Sequence, residues 1–140
     1  MVVRNRWLMG LWSLALALNV LASAKKEEAP KATSEYITLT PAVVANYGTG
    51  SGGMRYLKAD VVLRVAGGAE AQAAVIHHLP YVRHVLVMLL SDQTDESLAT
   101  MEGKEKLRQE ALAAVQKIVE EEEGKPLVGD LLFNSFVVQR

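Results

Sequence analysis

The 140-residue sequence contains no cysteine, which excludes disulfides and thiolate metal sites and leaves the cellular compartment to be read from targeting. It has no excess of charge of either sign, the formal net charge being -1. Neutralising a phosphate backbone requires a basic patch, and none stands out, so nucleic acid is not expected as a partner. The glycine-rich run at residues 48–53, GTGSGG, lacks the Lys-Ser/Thr ending of a phosphate loop and has no helix after it. It reads as a connection between strands. No HExxH or comparable ligand spacing is present. His77, His78 and His84 are close in sequence, but Pro80 interrupts their helix, and a catalytic zinc site needs three protein ligands and a supporting shell. They are expected at solvent or at an interface, with no metal and no cofactor.

The chain begins with a targeting pattern. Arg4 and Arg6 precede an almost wholly apolar stretch at residues 7–20, and Ala22-Ser23-Ala24 supplies a small-x-small site before Lys25. Residues 1–24 therefore read as a secretory signal or as an uncleaved anchor, since residues 7–24 barely reach the ~20 apolar residues that span a bilayer. Either reading exports the remainder of the chain. Residues 25–35 are charged and small, with one proline, and serve as a tether that cannot fold alone. Residues 36–140 then form one domain.

Within that domain, Ile37 and Leu39 alternate with threonines, and Pro41 places an edge, a bulge or a break in the strand-like stretch 36–47. Residues 56–65 alternate most cleanly: Leu57, Ala59, Val61, Leu63 and Val65 point one way, Lys58, Asp60 and Arg64 the other. The two stretches make an antiparallel hairpin. A helix is expected over 69–79, and a second starts at Pro80, whose missing N–H suits a first turn. Its residues 85–90 are apolar all round, which asks for a core position or a partner's cover. Residues 91–96 break this helix with short oxygen-bearing side chains. Thr100 caps a long helix whose apolar stripe is Leu107, Ala111, Val115, Ile118 and Val119, and Gly124 and Pro126 stop it. Its acidic end, residues 120–123, opposes the helix dipole and is expected to fray. Residues 131–139 form a closing strand, apolar on both faces and hence central or covered. The class is α+β: a small antiparallel sheet with helices packed on one face.

The run LPYVRHVLVMLLSDQTDESLATMEGKEKLRQEAL at residues 79–112, with YITLTPAVVANYG upstream and LFNSFVVQ near the end, resembles the flagellar basal body-associated FliL family over residues 36–139. The resemblance implies a domain similar to the stomatin/prohibitin type that assembles into rings. It also implies a non-enzymatic protein beside the flagellar motor in the inner membrane, its domain in the periplasm, supporting the stator units and so swimming, swarming and chemotaxis. Expected contacts, drawn from the apolar run and the family-like joint, are Val85, Leu86, Leu89, Thr94, Gly103, Lys104 and Arg108. Two other readings compete. One is a small periplasmic metal-dependent hydrolase using His77, His78 or His84 with Asp92 or Asp95. The other is an exported adaptor of the same fold with no tie to the motor.

Overall fold

The computed structural model describes residues 34–48 and 55–139. The expected signal or anchor, tether residues 25–33 and loop residues 49–54 lie outside the described residues. In chain order the elements are β1 (Ser34–Thr38), β2 (Val43–Asn46), β3 (Tyr56–Ala66), α1 (Gly68–His77), α2 (Leu79–Ser91), α3 (Asp95–Ala99), α4 (Met101–Glu123) and β4 (Val128–Gln139).

Strand β3 organises the rest because it carries the strictest alternation. Leu57, Ala59, Val61, Leu63 and Val65 are all wholly buried, each larger side chain contributing about 1.5–3 kcal/mol of transfer free energy. β1 and β2 pair antiparallel with β3, with Ile37 opposite Leu63 and Val43 opposite Ala59. They follow one another along a single edge of β3, so they are one strand interrupted around Pro41. The proline thus produces a break, and the carbonyls freed there are used: Arg83 of α2 donates to the Pro41 carbonyl at 2.7 Å and to that of Ala42 at 3.4 Å. The Thr40–Pro41 peptide bond is cis.

β4 occupies the other edge of β3, and here the sequence-based expectation needs correction. The closing strand is neither central nor covered on both sides, since among the described residues it pairs with β3 alone. Its apolar residues fall on both parities because the pairing slips twice. Val65 faces Val128, Leu63 faces Leu131, Val61 faces Phe133, Ala59 faces Phe136 and Leu57 faces Val138. The extra residues at the slips are Gly129 and Asn134, and each β-bulge returns the following residues to the core side. Leu132 and Val137 are left on the outer face, 42% and 53% exposed.

The helices cover the inner face. α1 and α2 meet at a bend of 61° centred on His78, and Val75, Val82, Leu86 and Leu90 are wholly buried beneath it. The apolar run on α2 is therefore not sandwiched on every side: Met88 and Tyr81 point outward, 54% and 61% exposed. α4 buries Leu107, Ala111, Val115 and Val119, and Ile118 sits half-buried at the rim of that stripe. Gly124 ends it in the left-handed region, φ 69°, with its N–H donating to the Glu120 carbonyl at 2.8 Å. The acidic end is not loose as expected. Glu123 lies 2.6 Å from His78 Nε2, tying the last turn to the α1/α2 bend. Among the described residues no single helix is long and apolar enough to cross a membrane.

These contacts give the domain two distinct ends. The entry end holds Ser34, Ala66, Val128 and the His78–Glu123 pair. The far end holds Asn46, Tyr56 and Gln139, about 33 Å away along the 11-residue β3 at ~3.3 Å per residue.

Candidate interaction surface

The joint between α2 and α4 lies at the far end and is rigid. Thr94 Oγ1 accepts from the Ser97 N–H at 3.2 Å while Ser97 Oγ accepts from the Thr94 N–H at 3.1 Å, a reciprocal cap that starts α3. Thr100 Oγ1 then accepts from the Gly103 N–H at 3.0 Å and starts α4. Asp95 fastens this joint to the β2–β3 hairpin, accepting from Tyr47 Oη at 3.1 Å and from Arg55.

From this joint the first turns of α4 run beside β4 and leave a shallow groove lined by Met101, Lys104, Glu105, Arg108, Phe133 and Phe136 and bordered by Leu132, whose register turns its side chain to the outer face. Phe133 and Phe136 pack with ring centroids 5.1 Å apart. The Lys104 ammonium stands 5.9 Å from the Phe136 ring, within cation–π range. Arg108 closes one end of the groove. It donates to both Glu105 oxygens at 2.6 and 2.9 Å, to Asp130 at 2.8 Å and to the Leu131 carbonyl at 3.1 Å. Among the described residues Met101, 76% exposed, has the largest exposure of the large apolar side chains.

Hydrogen bonds from Arg108 and then Gln109 hold the Glu105 carboxyl down at about 2, and the same contact with Glu105 raises the Arg108 guanidinium above its ordinary value. The folded-state value of Glu105 is depressed, so its contribution is present above the ordinary glutamate range, near 4.3, and is lost as pH falls through about 2. Glu105 is largely exposed, and solvent screening keeps the effect modest. Glu105→Gln is expected to be less stable than wild type at pH 7 and indistinguishable from it near pH 2, as read from urea midpoints at both pH values.

Of the residues expected at contacts, Lys104 and Arg108 come together on α4 at the groove, with Thr94 exposed at the neighbouring cap, whereas Gly103 is turned to the Ser97 carbonyl and Thr100. Val85 and Leu89 lie half-buried on α2, outside the groove, and Leu86 is wholly buried in the core, where its side chain belongs to the fold. Met101, Leu132, Phe133 and Phe136 were not expected as a site. The sequence signal for them was the paired phenylalanines of the closing strand, which acquire a neighbour only when β4 folds against α4.

The histidines are not gathered. His78 pairs with Glu123, its ring 5.0 Å from that of His77, while His84 is exposed beside Pro80 and Tyr81. α2, 13 residues and about 20 Å long, separates His77 and His78 from Asp92 and Asp95. Among the described residues no group of three or more His, Cys, Asp or Glu is placed to hold a metal ion.

Comparison with known families matches residues 36–139 to the family described as "Flagellar basal body-associated protein FliL". No curated protein sequence matches the chain.

Proposed function

The chain belongs to the FliL family, and from that premise we propose that it supports the torque-generating stator units of the flagellar motor. Family membership gives it a flagellar basal-body-associated, non-catalytic role. In the proposed arrangement residues 1–24 bring the chain to the inner membrane, or carry it across if cleaved, and residues 25–33, up to the start of β1 at Ser34, tether a domain standing in the periplasm. The partners are basal-body and stator proteins together with further copies of the chain in a ring. A ring requires heterologous contacts between unlike faces, and the outward side chains of α2 offer one such face through Tyr81, Val85 and Met88.

The observation that carries this reading is the polarity of the domain. The chain enters at one end of the sheet, while the capped joint with Thr94 lies at the other, about 33 Å away along β3, and the groove with Lys104 and Arg108 runs back from that joint beside the middle of the strand, Phe136 lying opposite Ala59 and Leu132 opposite Val62. A surface so placed is held away from the membrane and presented to a neighbour on a rigid body, which is what a scaffold needs and an enzyme does not.

The test is swimming and swarming of a clean deletion strain, with filaments counted so that assembly and rotation are separated. The expected result is reduced movement and a reduced chemotactic ring with normal filament number, restored by the wild-type gene and poorly restored by Lys104→Glu. Unchanged movement on soft and viscous media would sink the motor-associated reading and favour an exported adaptor of the same fold.

A further inference from the structure

Among the described residues, Lys104 is the one lysine or arginine that is half-buried and has neither a hydrogen-bond acceptor nor an ion-pair partner. Arg55, Arg64, Arg83 and Arg108 each have an acceptor, and the other lysines are exposed. The Lys104 ammonium carries three donors, and it stands over the Phe136 ring at 5.9 Å. The carboxylates nearby are already engaged, since Arg108 donates to Glu105 at 2.6 Å and to Asp130 at 2.8 Å. The groove holds about 300 Å³, at the small end of the ~300–1,000 Å³ typical of ligand pockets, which suits one or two side chains better than a whole small molecule. Its wall beside Lys104 is apolar: two packed phenylalanine rings, and the exposed Met101, whose unbranched thioether adapts to varied partners.

We propose that the groove takes an acidic, apolar segment of a partner protein. A large apolar side chain of that segment seats between Met101 and the two phenylalanines, and an Asp or Glu one or two residues away accepts from Lys104. This rests on the reading of the groove as a contact surface and adds the chemistry of what it contacts. Charge and hydrogen bonding select the occupant. An apolar side chain alone would desolvate the ammonium and leave it without an acceptor, whereas a carboxylate gives it a charge-assisted hydrogen bond. A C-terminal carboxylate is ordinarily captured by successive free backbone N–H groups. Here the N–H groups of Gly103 and Lys104 are already given to Thr100 Oγ1 at 3.0 Å and to the Thr100 carbonyl at 3.2 Å, so the single flexible ammonium of Lys104 is matched to a side-chain carboxylate. The chain's own tether is unsuited. Residues 25–33 contain no aromatic and no large aliphatic side chain, and Ser34, where they join the sheet, lies on the edge of β3 opposite to β4.

The test is selection from a random octapeptide display library on the full chain in lipid nanodiscs, after depletion on empty nanodiscs. Lys104→Glu and Met101→Ser are selected in parallel, with far-UV circular dichroism checking that all three chains are folded alike. Wild type is expected to enrich Asp or Glu within two positions of a large apolar or aromatic residue, about fivefold over the unselected library. Lys104→Glu is expected to invert that preference toward Lys and Arg at the same spacing, a change that loss of structure cannot produce. Peptides selected on wild type are expected to bind Met101→Ser about fivefold more weakly. The selection does not involve the motor. Unchanged swimming of the deletion strain beside the expected enrichment would sink the motor reading and leave the groove's chemistry standing, and reduced swimming without the enrichment would do the reverse. Purely apolar peptides, an acidic preference that persists in Lys104→Glu, or no enrichment at all would overturn the proposal.

Discussion

Gly103→Ala is expected to destabilise the folded domain by about 3 kcal/mol, combining the 1–3 kcal/mol typical of overpacking with partial loss of a helix cap. A methyl group at this position would overlap the Ser97 carbonyl oxygen, stand 2.8 Å from the Ser97 carbonyl carbon and 3.0 Å from Thr100 Oγ1. Two of those atoms are backbone, held by the Thr94–Ser97 cap, and the third is the cap of α4 itself. Relief therefore requires α3 and α4 to move apart. Gly129→Ala is the control, because its added methyl would meet only the mobile end of Arg64, 3.2 Å from Nη2, and is expected to cost less than about 0.5 kcal/mol. Urea midpoints of the two variants decide the matter. Equal midpoints would mean that Gly103 is not held by packing and would return it to the contact role expected from its place in the sequence.

The second large effect separates two residues of one apolar run. Leu86→Ala is expected to cost about 2–5 kcal/mol, the range for deleting a core leucine and leaving a cavity. Met88→Ala is expected within about 0.5 kcal/mol. Leu86 is wholly buried, and Met88 is 54% exposed although only two positions away. At 100° per residue, those two positions rotate the side chain by about 200°, from the sheet to solvent. Thermal unfolding of both variants reads the contrast. A comparable loss for Met88→Ala would mean that another part of the molecule covers this face of α2. The same experiment bears on the proposed ring, since an outward Met88 is available to a neighbouring copy and a buried Leu86 is not.

The glutamate at position 105 shows how far local spacing reaches. Glu105 and Arg108 lie three apart on a helix, so their pairing is legible from sequence. The third member of the group, Asp130, arrives from β4, 22 residues later, and no spacing rule places it. His78 and Glu123 behave the same way: the acidic end of α4 reads as a strained, solvated turn until the bend between α1 and α2 brings a histidine to it.

The sequence alone determined what depends on short-range periodicity and on residues with fixed conformational demands. The period-2 pattern of 56–65 made β3, the apolar stripe from Leu107 to Val119 made α4, and Pro41, Pro80, Thr100 and Gly124 marked breaks and ends, because each limits its own or its neighbours' backbone. The family pattern was legible for the same reason, as an ordered set of such marks. Only the tertiary structure decided which residues share a surface. Two bulges, at Gly129 and Asn134, set the parity of β4 through its register with β3, and that register alone sends Phe133 and Phe136 toward Lys104 while leaving Leu132 and Val137 outside. Edge or centre is likewise a property of the whole sheet. A strand apolar on both parities looks buried in isolation, and it becomes a free edge only when nothing else in the described fold pairs beyond it.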